Sequence, residues 1–237
     1  SVMIFLSGIA QINLQETMIR FIPQSGKRTL RLVIIAYALV IGLSAITGIV
    51  FSLGLSLWSP ALGFLVSSPE SLLWFTAAII FWGLFVMEDS VLTGLRRALW
   101  IPLENAIFSV LKIVLLIALA AALPQTGIFM SWTLAVAAII LPVNLLIFRR
   151  LIPKHVAAAP PQSAPLPLRQ LSKYIAGNYL AALLANMSSA LLPLIITQVA
   201  GAAANAHFYI AWIVAGSLQI ITANMATSMT VETAANS

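Results

Sequence analysis

Seven apolar runs fill most of this sequence, each close to or above the about 20 residues that a helix needs to cross a hydrocarbon core. They cover residues 1–21, 30–57, 71–95, 101–123, 127–148, 173–199 and 204–229. Charged residues make up only 8% of the chain, against about 25% in an ordinary soluble domain, too few to coat a soluble core. The expected fold is therefore all-α, a polytopic membrane bundle of about seven transmembrane helices.

Lysine and arginine orient those helices. Arg20, Lys27, Arg28 and Arg31 surround the first connection, Arg96 and Arg97 occupy the third, and Arg149, Arg150, Lys154, Arg169 and Lys173 lie in or beside the fifth. The second, fourth and sixth connections contain no Lys or Arg. Basic loops face the cytoplasm, so these three are placed inside and Ser1 outside. A chain oriented this way is expected to have one further helix upstream. The net charge of +6 is read as loop charge, with membrane lipid as the partner and no nucleic acid.

One connection differs from the rest. Residues 149–172 are long and rich in Pro, Ala and Ser, including Pro160-Pro161, which predicts an extended cytoplasmic linker. It divides the chain into an N-terminal lobe, 1–148, with five spans, and the start of a second lobe, 173–237, with two. Pro142 and Pro193 mark candidate kinks, and Gly42, Gly48 and Gly54 with Ser44 and Ser52 suggest close helix packing.

Half of the six carboxylates stand between residues 81 and 115. Glu88 and Asp89 come near the inner end of one span, within two turns of Arg96 and Arg97, and read as a cytoplasmic gate or turn cluster. Glu104 follows Pro102 at the start of the next span, where an acid caps the helix and complements its dipole. Glu16 and Arg20, four apart on one helix, suit an interfacial ion pair. Lys112 stands about 15 Å into its span, near the midplane, with Phe108 and Leu116 at i−4 and i+4. It needs a partner on another helix, water, or an anionic substrate. Asn105 and Ser109 extend one polar stripe of the same helix towards it. Asn178, Asn186, Gln219 and Asn224 add neutral polar groups in the last two spans, while His207, Tyr209 and Trp212 read as an aromatic interface belt.

With no cysteine and two distant histidines there is no thiolate or histidine metal site, and no Gly-rich phosphate loop or nucleophile elbow appears. No cofactor, metal or catalytic residue is expected, and an enzyme is not.

The stretch Glu88-Asp89-Ser90-Val91-Leu92-Thr93-Gly94-Leu95-Arg96-Arg97-Ala98-Leu99-Trp100-Ile101-Pro102-Leu103-Glu104-Asn105 resembles the fourth-to-fifth helix connection of polysaccharide flippases. These belong to the multidrug/oligosaccharidyl-lipid/polysaccharide exporter superfamily. Arg20-Phe21-Ile22-Pro23 resembles the end of that family's second helix, and Ala206-His207-Phe208-Tyr209 with Ala211-Trp212 its eighth. The resemblance implies a two-lobed transporter of the cytoplasmic membrane that flips a lipid-linked oligosaccharide outward by alternating access. It implies that Lys112 and Arg20 hold the (pyro)phosphate of the lipid carrier, and that 149–172 joins the lobes. A cation-coupled multidrug exporter of the same superfamily and a non-transporting protein of envelope glycan assembly are the alternatives, and glycan assembly proteins are possible partners.

Overall fold

The computed structural model describes residues 2–11, 14–54, 68–123, 126–159 and 168–235. All the regular structure among them is helical. In order these are α1 (Val2–Ala10), α2 (Leu14–Ser25), a 3₁₀ turn (Gly26–Arg28), α3 (Thr29–Leu53), α4 (Pro69–Gly94), α5 (Trp100–Ala122), α6 (Gly127–Leu146), a π-helical segment (Ile147–Leu151), α7 (Ile152–Ala158) and α8 (Leu168–Ala235). Among the described residues, five helical stretches are long and apolar enough to cross a membrane. The protein is an all-α membrane-type bundle.

The chain separates into two compact units, Ser1–Pro165 and Leu166–Ser237. In the first, α4 is central and packs on α1, α2, α3 and α6, while α5 rests chiefly on α6. The difference is written in their small residues and faces. A Cβ on Gly83 would stand 2.9 Å from Val40 Cγ1 and 3.1 Å from Ser44 Oγ, so α4 approaches α3 as closely as a bare backbone allows. At Gly94 a Cβ would meet the Met18 carbonyl oxygen at 2.8 Å. Helix α5 instead turns Leu103, Ile107, Val110, Val114 and Ile117 outward, an exposed apolar face that lipid would cover.

The second unit is α8, in which two helical segments meet at Gly201 (φ 88, ψ 168). That conformation is essentially restricted to glycine, and it falls in the connection expected between the spans 173–199 and 204–229.

Three expectations are corrected. The run 1–21 is described as two short helices, α1 of nine residues and the start of the twelve-residue α2, with a turn at Gln11 and with residues 12–13 outside the described residues. Polar residues crowd the turn: Gln11 is buried, its Nε2 donates to Ser7 Oγ at 3.0 Å, and Gln15 donates to Gln11. The predicted linker is helical through Ala158, because residues 149–158 are largely good helix formers and the helix runs on from α6 through its π segment, with Pro153 just after that wider turn. Close packing in α3 involves Gly48, against Thr76 and Ile79, but not Gly42, which has nothing within 4 Å. Pro142 lies inside α6, one turn before the helix widens into its π segment. Pro160, Pro161 and residues 55–67 of the second connection fall outside the described residues, as do the side chains of Asn178, Asn186 and Gln219.

Candidate functional site

The acids of the central stretch do not form a solvated turn. Glu88, six residues before the end of α4 and so about 9 Å in from it, is 0% exposed, and Glu104 on α5 is 4% exposed. Asn144 on α6 donates its amide N–H to Glu88 Oε1 and, at 3.0 Å, to the Ile140 carbonyl. Asp89 is paired with the Asn105 side chain. The Tyr37 hydroxyl, on α3, lies within electrostatic reach of Glu88 and Glu104 and has no hydrogen-bond partner. Four helices thus converge on one polar knot in an apolar interior.

The knot is short of donors. Neither oxygen of Glu104 receives an N–H or hydroxyl, and Glu88 Oε2 and Asp89 Oδ1 also receive none. The Glu88 and Glu104 carboxyls lie against each other. Two carboxyl groups placed this way can hydrogen-bond only when one of them carries a proton, since an ionised carboxylate is purely an acceptor. Among the described residues no group of three or more His, Cys, Asp or Glu is arranged to hold a metal ion.

Two sequence readings give way here. Glu104 is the fifth residue of α5, past its first turn, and with no donor at either oxygen it does not cap the helix. Glu88 and Asp89 are partnered by amides and by carboxyls of the same knot, whereas Arg96 and Arg97 are exposed on the α4–α5 turn. The physical reason is lateral: the face of α4 that carries Glu88 is turned into the bundle, so nearness to the helix end does not bring it to water.

Lys112 has an aromatic partner. Its Nζ stands 4.6 Å from the ring centroid of Trp132, on α6, and 5.3 Å from that of Phe108. Trp132 stacks on Trp82 of α4 at 5.6 Å, and Phe85 and Phe108 complete the cluster. A half-buried ammonium on ring faces is held by the ring quadrupoles, with no acid required. The polar stripe leading to it is locally satisfied: Asn105 Nδ2 donates to the Ile101 carbonyl at 3.0 Å, and Ser109 Oγ to the Asn105 carbonyl at 2.7 Å. Arg20 is exposed on α2, with its guanidinium 5.8 Å from the Phe21 ring centroid. Arg20 and Lys112 stand on α2 and α5, which are not a main packing pair: α2 packs on α4, and α5 chiefly on α6. In the second unit, exposed His207 meets the Ala203 carbonyl through Nδ1 at 2.9 Å, and Phe208 lies beside Trp212.

Tyr37 and Asn144 escaped the sequence reading, since neither carries a charge. A signal was present nonetheless. Glu88 and Glu104 are equidistant in sequence from Arg96, so a chain reversing at that turn sets them opposite each other.

In class, the bundle and its buried polar knot define an all-α, membrane-embedded protein. The chain matches no protein-family model, no curated protein and no solved structure.

Proposed function

We propose that this protein is a membrane transporter that carries lipid-linked oligosaccharide precursors across the cytoplasmic membrane by alternating access. The observation that carries the reading is the buried Glu88–Glu104 pair. Ionisable groups at membrane depth are costly and mark pathways for ions, protons or substrate. A carboxyl pair that can hold or release a proton, contacting four helices, is suited to couple cation movement to helix rearrangement. The substrate class rests on the resemblance of residues 88–105 to polysaccharide flippases, and on Lys112 as a cation able to meet a (pyro)phosphate near mid-span.

The test is made in the full-length protein, scoring surface glycan and accumulated lipid-linked intermediate. Glu104→Gln and Lys112→Glu should each reduce surface glycan and raise the intermediate. Normal export by both variants would refute the proposal. A second reading, cation-coupled export of lipophilic drugs, is favoured by the same two buried acids, Glu88 and Glu104. It predicts that Glu104→Gln abolishes efflux of a lipophilic cationic dye and leaves glycan export intact.

A further inference from the structure

A second polar site lies at the other side of the α4–α5 turn. A pocket of about 350 Å³ is formed where Arg96 and Arg97 face Lys154 and His155 of α7, over an apolar floor that includes Leu95 and Leu151. Among the described residues none of its walls is acidic: Glu88 and Glu104 are buried in the bundle, and half-buried Asp89 is paired with Asn105.

Three local features build it. Arg96 holds φ 60, the left-handed conformation that non-glycine residues seldom adopt and that persists only where the surroundings enforce it. The π segment at Ile147–Leu151 re-phases the helix, so that Lys154 faces the turn while Arg149 and Arg150 remain outside the pocket. His155 Nε2 lies 3.2 Å from the Ile22 carbonyl; since a carbonyl only accepts, Nε2 carries the hydrogen, and the contact pins α7 to α2.

We infer that this pocket binds the phosphate group of an anionic lipid. Guanidinium groups offer paired N–H donors matched to phosphate oxygens, and Lys154 adds a point charge. The depth selects a lipid and not a free anion. Both α4 and α5 are long enough to span, so the turn between them lies at headgroup level. Leu99, 91% exposed, and exposed Trp100 stand beside the cations, where glycerol and acyl segments would lie. This assignment does not depend on the transport reading.

The full-length protein in nanodiscs of phosphatidylcholine doped with phosphatidylglycerol provides the test, with native mass spectrometry reading retained lipid across a phosphatidylglycerol titration. Taking about fivefold per cation near the membrane surface, Arg97→Gln with Lys154→Gln should weaken retention roughly 25-fold. Arg149→Gln with Arg150→Gln removes the same charge from exposed positions outside the pocket and should leave retention unchanged. Both pairs alter exposed side chains, so folding is preserved. Equal losses in the two double variants would overturn the proposal in favour of diffuse surface charge, and no loss in either would also overturn it. Displacement of the lipid by an equal concentration of inorganic phosphate would reassign the pocket to a free anion.

Discussion

Glu104→Leu should make the protein more stable and less active. Glu104 is buried to 4% exposure with no N–H or hydroxyl donor on either oxygen and only the Glu88 carboxyl as a partner, so its burial is opposed by lost hydration that is not fully replaced. An unsatisfied buried polar group costs about 1–3 kcal/mol, and a leucine of similar volume removes that cost. Against this stands the loss of its contact with Glu88, about 1 kcal/mol for a typical hydrogen bond. The net is a gain of about 1 kcal/mol, or roughly 2–4 °C in Tm for a chain of this size. Thermal unfolding of the full-length protein in detergent, followed by intrinsic tryptophan fluorescence, measures it, with glycan export scored in parallel. A drop in Tm of the same size, in a variant that still inserts and purifies normally, would show that Glu104 is held by favourable interactions and would refute the reasoning.

Gly94→Ala should destabilise by about 1–3 kcal/mol, because the new Cβ would stand 2.8 Å from the Met18 backbone oxygen, which cannot rotate away. Gly42→Ala, with nothing within 4 Å, should be neutral or stabilising by up to about 1 kcal/mol, and paired melts in which Gly94→Ala is no more destabilised than Gly42→Ala would count against the packing of α2 on α4. Trp132→Leu should release Lys112 from its best ring face at a cost of about 0.5–2 kcal/mol beyond the lost packing, read as a smaller effect of Lys112→Met in the Trp132→Leu background than in the native one.

The helices were legible because hydropathy is additive along a segment: a run such as 101–123 has the same mean however its residues are arranged around the axis. The site was less legible because burial depends on that arrangement. Glu88 and Arg96 are two turns apart in sequence, yet one is sealed among four helices and the other lies on an exposed turn. Lys112 shows the same point from the other direction. Its position near mid-span was readable, whereas its partner, Trp132, sits on the next helix in the chain and looks like any other aromatic residue in an apolar run. The helical course of residues 149–158 was missed because prolines farther along dominated the composition of the segment.

The uneven packing of α5 bears on how the bundle is assembled. Helices α5 and α6 meet along an antiparallel hairpin with a short connection, a pairing cheap to close, whereas α4 and α6 must find each other across the whole of α5. Apolar side chains in lipid discriminate poorly between neighbouring registers, since one leucine contact replaces another. The Glu88–Asn144 hydrogen bond does not have that tolerance. Sliding α6 by one residue would strand an amide and a carboxyl in an apolar seam, so this bond fixes the alignment of the α4–α6 pair.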